Sequence, residues 1–288
     1  MGVLLIIFVL VAVVAAAALV RLGFALRRSS GAPPTADVRR SVQVIRVALV
    51  ADVGAIIPVV AYLIGTDHLG RALLMVVPLA LICLQLGLLG ATIAIDRLPR
   101  VRVTVRVASL DRRRTAHVVP RALTIATTGA VAAAIAALLV TTRTACLDPG
   151  TGEMRSFGVD DASFTPYLGS YYTGPLLTAL VLSVALTACI ATGSRRWAAL
   201  DHADADLALR LRVASRSMSV TAIIAGYVIA LAAWVLGDAA RHLRESSAPL
   251  GHWAVMTWLM PAMLVGGLAL AGWSCLGFVA PARRPGWR

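Results

Sequence analysis

No lysine occurs anywhere in the 288 residues; all 27 basic side chains are arginine. Without lysine there is no Schiff base, so neither a retinal attached as in seven-helix rhodopsins nor a pyridoxal cofactor can be held covalently. A lysine-bearing phosphate loop is excluded as well. Arginine has GC-rich codons and lysine AT-rich ones, so a GC-rich bacterial genome accounts for the choice. Cysteine is scarce: Cys83, Cys146, Cys189 and Cys275, with only Cys146 outside a hydrophobic run. No CxxC or Cys/His spacing is present, which supports neither a disulfide framework nor a zinc site. HExxH, GxSxG and paired intramembrane acids are also missing. No cofactor, no metal and no catalytic residue is therefore expected.

Charge is nearly absent from long stretches of the chain. Hydrophobic residues make up 59% and the mean hydropathy is +0.83, against about 45–50% apolar residues in a soluble domain. The excess is gathered into seven runs, at about 3–20, 47–66, 72–95, 122–142, 174–194, 217–237 and 253–280. Each is long enough as a helix to cross a bilayer core of about 30 Å. The fold class expected is all-α: one polytopic, seven-helix transmembrane domain over residues 1–288.

Arginine fixes the orientation. The segment from Asp96 to Arg121 holds eight arginines between two uncharged runs, and loops so basic stay on the cytoplasmic side. Placing the N-terminus outside and the C-terminus inside gives 22 arginines in cytoplasmic segments against 5 in outer ones. Tyr62, Tyr171, Tyr172, Trp234 and Trp253 then fall at outer ends, as an aromatic belt would. The first run has no basic residue before it and Arg21, Arg27 and Arg28 after it. That is the reverse of a secretory signal, so it reads as an uncleaved first helix. The expected location is a bacterial plasma membrane. The formal charge of +13 is divided among separate loops, so no nucleic-acid partner is expected.

Within the arginine-rich loop, residues 100–107 alternate as RVRVTVRV. Period two fits a short strand with one charged face, and residues 115–119 are placed to return as its partner; an irregular loop is the competing reading. Either way Arg100, Arg102, Arg106, Arg112, Arg113 and Arg114 are expected to meet anionic lipid headgroups. The longest outer segment, Arg143 to Thr173, ends in FTPYLGSYYTGP. Its Pro, Gly and Tyr content predicts tight turns and an ordered outer cap, with Tyr167, Tyr171 and Tyr172 at headgroup level.

Asp52 is the one charged residue well inside a predicted span, and such a residue is a functional candidate by default. It lies six residues beyond Arg46, about 9 Å along a helix. A pairing with Arg21 or Arg46 would lock the first two helices; a proton or cation role is the alternative. Gln85, Thr124, Thr127, Thr128, Ser183, Thr187 and Thr221 are among the few other polar residues in the spans, and they are expected to glue helices together or to bond their own backbone. In the loop predicted over 195–216, Asp201, His202, Asp204 and Asp206 offer metal-ligand types. On a helix, however, they divide between two faces, and acids followed by Arg210, Arg212 and Arg216 read as an ordinary helix start.

The stretches PYLGSYYTGPLL, DADLALRLRVASRS and RTAHVVPRAL resemble a group of actinobacterial polytopic integral membrane proteins that has no assigned activity. The resemblance covers about Asp96 to Val220. It implies topology and source, and it carries over no catalytic residue. The function expected is therefore a non-enzymatic accessory, sensor or scaffold component, with the lipid bilayer and a membrane protein as partners. A small permease or ion-coupled transporter using Asp52 is the first alternative. A membrane-embedded lipid-modifying enzyme is the second.

Overall fold

Runs of Leu, Ile, Val and Ala without a charge have one way to satisfy their backbone in an apolar medium, and that is to form helices. The computed structural model describes residues 39–45, 47–48, 50–52, 54, 71–98, 121–148, 150, 152–159, 162–164, 167–196, 203–245 and 266. It contains four long helices: α1 (Arg71–Arg97), α2 (Arg121–Thr144), α3 (Ser170–Arg196) and α4 (Ala203–Glu245). All four are long and apolar enough to cross a membrane. They correspond to the third, fourth, fifth and sixth predicted spans. The described residues among 39–54 are helical too. The first predicted span, Arg21, Arg46, the arginine-rich loop with its proposed hairpin, and nearly all of the last span lie outside the described residues.

The helices outrun the hydropathy, and most of all in α4. This helix has 43 residues, so the loop expected over 195–216 is largely its first turns, and the outer turn expected from Asp238 is partly its last. Leu207, Leu209, Leu211 and Val213 are interleaved with arginines in the stretch read as loop. Leu and Arg are strong helix formers, and Leu209 and Val213 are buried.

α4 is the central element. Within its apolar stretch 78% is buried, against 28% for α2 and 33% for α3. It packs on α1, α2 and α3. Small buried residues make the close approach feasible: Ala222, Ala225, Ala232 and Ala233 on α4, and Ala130, Ala134 and Ala137 on α2. Packing of this kind associates helices where lipid removes the hydrophobic drive. The outer faces of α2 and α3 expose Ile125, Leu139, Val181 and Leu182, as helices bordered by lipid do.

Between α2 and α3 the chain forms a small three-stranded antiparallel sheet, β1 (Cys146–Leu147), β2 (Met154–Val159) and β3 (Ala162–Phe164), in the order β1-β2-β3. The segment is an ordered cap as expected, but it is built of strands as well as turns. The turn between β1 and β2 explains itself locally. Asp148 Oδ1 accepts from the Gly150 N–H at 3.0 Å, and Gly152 takes a φ of 70° that a side chain would disfavour. The Asp148 N–H donates to the Glu153 carbonyl at 2.8 Å. Gly169 is needed for a second reason: a methyl there would run into the Met154 carbonyl of β2, where the cap rests on the start of α3.

Candidate functional site

Midway along α1, Gln85 is fully buried and ties three helices together. Its Nε2 lies 3.0 Å from Thr187 Oγ1 on α3 and 3.0 Å from Thr221 Oγ1 on α4. It is also 3.1 Å from the Ser217 carbonyl and 3.4 Å from the Ser183 carbonyl. The two carbonyls decide the amide orientation, because only the NH2 group can donate to them. Around it, Ser183 and Thr221 are hydrogen-bonded at 2.8 Å, Thr187 and Ser217 at 2.8 Å, and Thr187 and Thr221 at 2.9 Å. Gln85 Oε1 alone is buried without a hydrogen-bond partner. The expectation that Gln85, Ser183, Thr187 and Thr221 act as glue is met. Ser217 was missed, because it was taken as the first residue of a span and not as part of its interior.

Asp52 sits on a different side of the same helix. Its carboxylate occupies the space that a Cβ on Gly87 would fill, and it lies near enough to act electrostatically on the Cys83 thiol. Cys83 and Gly87 are one turn apart, whereas Gln85 lies about 200° around from Gly87 at 3.6 residues per turn. Asp52 Oδ2 is buried and has no hydrogen-bond partner. Its proposed partners Arg21 and Arg46 are outside the described residues, so the lock between the first two helices is not seen.

The end of the bundle away from the cap is held by charge. Arg210 is 2% exposed; its Nε donates to Asp206 Oδ2 at 2.8 Å, and its Nη1 donates to the Ser194 carbonyl near the end of α3. Arg210 thereby satisfies both a carboxylate and an orphan carbonyl of a helix terminus. Arg216 is buried nearby and Arg212 half-buried. The sequence reading places these arginines in a helix start within the predicted loop but does not foresee their burial. The i,i+4 spacing of Asp206 and Arg210 was the available signal. It also commits Asp206 to an ion pair; Asp201 and His202 lie outside the described residues. Among those residues, no group of three His, Cys, Asp or Glu could hold a metal.

At the cap, Tyr167 and Tyr172 turn inward. Tyr167 and Tyr172 are buried, and Tyr171 is half-buried. The Tyr167 ring packs 5.0 Å from that of Phe157, and its hydroxyl is 2.6 Å from Thr144 Oγ1. Burial pushes the Tyr167 hydroxyl up to about 12, partly opposed by the Thr144 hydrogen bond. Interfacial anchoring is thus corrected for Tyr167 and Tyr172: a phenol with a partner is cheaper to bury than to leave its ring in water. The six arginines expected to contact anionic lipid are outside the described residues.

No family model, curated protein or solved structure matches the chain. Function must therefore be argued from the residues. The node around Gln85 consists of neutral donors and acceptors that, apart from Gln85 Oε1, bond to one another, which suits cohesion and not chemistry. Asp52 is the carboxylate in the described helices with a buried oxygen, Oδ2, that has no hydrogen-bond partner.

Proposed function

We propose that the chain is a seven-span, single-domain protein of a bacterial plasma membrane, N-terminus outside and C-terminus cytoplasmic. In this reading it serves as a non-enzymatic accessory, sensor or scaffold component. It belongs with the actinobacterial group that its cap and basic segments resemble. The observation that carries the reading is α4. Its 43 residues make a rod of about 65 Å, roughly twice the bilayer core. The rod packs against the cap through β3 and is latched to the end of α3 through Arg210 and Ser194. A single buried element that reaches both ends is what a protein needs to relay a state across a membrane to a partner. Arg100, Arg102, Arg106, Arg112, Arg113 and Arg114 would add contact with anionic lipid on the cytoplasmic face.

The test is purification of the tagged full-length protein from its native membrane in mild detergent, with co-purifying chains identified and counted. A stoichiometric membrane-protein partner is expected. Recovery of the protein alone, or only with itself, would remove the accessory reading. Orientation has its own check. Cys146 is an exposed free thiol in the cap, so a membrane-impermeant maleimide should label it in intact cells, and Cys146→Ser should abolish that signal. Labelling that appears only after lysis would reverse the topology.

One observation favours a second reading, a small permease or ion-coupled transporter. Asp52 Oδ2 is buried without a hydrogen-bond partner against Gly87, and an intramembrane acid of that kind marks ion or proton paths. Proton or cation flux into vesicles holding the wild type, lost in Asp52→Asn at equal abundance, would establish it. Equal flux in both would end it.

A further inference from the structure

A groove of about 660 Å³ runs between α1 and α3 at the cap end, a size within the usual range of small-molecule sites. Its walls are two matched stripes. Met75, Leu79 and Ile82 repeat at i, i+4 and i+7 on α1, and Pro175, Ala179 and Leu182 repeat at the same spacing on α3. Each stripe is about 10 Å long. The two helices run in the same direction here, since both start at the cap end: Met75 and Pro175 lie near it, Ile82 and Leu182 deeper. The polar lining is confined mainly to the cap end, where Glu153, Ser170 and Tyr171 close the groove. Thr178 and Gly174 are exposed along it, so the groove opens sideways along helices that are long and apolar enough to span a membrane.

Glu153 is the one charged residue among the described lining residues. Its backbone is fixed, because its main-chain carbonyl accepts from the Asp148 N–H in the turn between β1 and β2. The groove therefore grades from an apolar cleft along the two helices to an exposed carboxylate on a fixed turn at the cap, the polarity gradient of a phospholipid lying parallel to the helices. A carboxylate repels a purely anionic headgroup and attracts an ammonium. The Ser170 hydroxyl, at the start of α3, offers a donor on the phosphate side, where the helix dipole also favours negative charge.

We propose that this groove seats one phospholipid with a primary-amine headgroup, its ammonium at Glu153 and the upper part of an acyl chain between the two stripes. The inference rests on α1 and α3 lying in a bilayer, and not on the accessory role. Its failure is distinguishable from failure of that role, since partner capture and lipid retention are separate readouts.

The experiment is native mass spectrometry of the full-length protein from vesicles containing equal phosphatidylethanolamine and phosphatidylglycerol. The wild type should retain a single phosphatidylethanolamine in preference by about three- to five-fold, the ratio expected of one partly exposed ion pair. Glu153→Gln, at an exposed site where folding is not at stake, should equalise the two lipids, and Glu153→Arg should favour phosphatidylglycerol. Ala179→Phe, which fills the cleft, should lose both adducts. A wild type without preference, an unchanged ratio in Glu153→Gln, or a second protein copy occupying the face in place of lipid would each overturn the proposal.

Discussion

Gln85 and Asp52 meet the same helix, α1, on different sides, and their surroundings could hardly differ more. The neutral amide of Gln85 is crowded by two threonine hydroxyls and two carbonyls from α3 and α4. The carboxylate of Asp52 rests on the bare backbone of Gly87 with one oxygen buried and unbonded. Interhelical hydrogen bonds in membranes are individually weak, because the separated helices find other partners. A node with several bonds still accumulates stability, while a buried carboxylate oxygen without a hydrogen-bond partner, as Asp52 Oδ2 is, adds none and costs desolvation. The lesson is that burial of a polar group does not by itself say what the group is for; the count of its partners does.

The comparison is sharpened most by removing each group in turn. Gln85→Leu should destabilise the protein by about 1–2 kcal/mol, since one substitution cuts bonds to two helices. Asp52→Asn should change stability by less than about 0.5 kcal/mol, as the buried Oδ2 has no hydrogen-bond partner to lose. Unfolding in mixed micelles, followed by circular dichroism, measures both. If Asp52→Asn costs as much as Gln85→Leu, the carboxylate has a structural partner and the contrast collapses.

A smaller effect is expected at the contact itself. Gly87→Ala places a methyl where the Asp52 carboxylate lies, and overpacking of this kind costs about 1 kcal/mol or somewhat more. The far end of a short side chain is the obstacle, so Asp52→Ala in the same chain should recover most of the loss. A double-mutant cycle should therefore give a coupling of about 0.5–1 kcal/mol. Additive costs would mean that the two residues do not touch.

How much of this was legible beforehand follows from what each feature depends on. The four long helices were, because twenty uncharged residues in a row have one outcome in a membrane. The length of α4 was not, because hydropathy ends a span at the first cluster of charges. The residues of 203–216 nonetheless carry helix-forming Leu, Ala and Arg, and Asp206 and Arg210 at i,i+4. The sheet of the cap left a weaker trace, in the turn residues Asp148, Gly150 and Gly152. The contact of Asp52 with Gly87 and the bonds from Gln85 to residues about a hundred positions away left none. They depend on which helices become neighbours, and no local pattern encodes that.

Tyr167 carries the same rule outside the spans, where a titration can read it. Its phenol is buried with a single hydroxyl partner, Thr144 at 2.6 Å, and burial pushes its hydroxyl up to about 12. The unfolded chain ionises near 10. Between those values the folded state keeps a proton that the unfolded state has released. Stability contributed by this group is therefore complete below about pH 10 and falls as pH rises toward 12. Absorbance of tyrosinate, with Tyr167→Phe as the subtraction, should show one late-titrating tyrosine. The Thr144 hydrogen bond holds the value down, so Thr144→Val should move it higher still. A Tyr167 that titrates near 10, or a Thr144→Val that lowers it, would mean that the cap is open to water and that its tyrosines face outward after all.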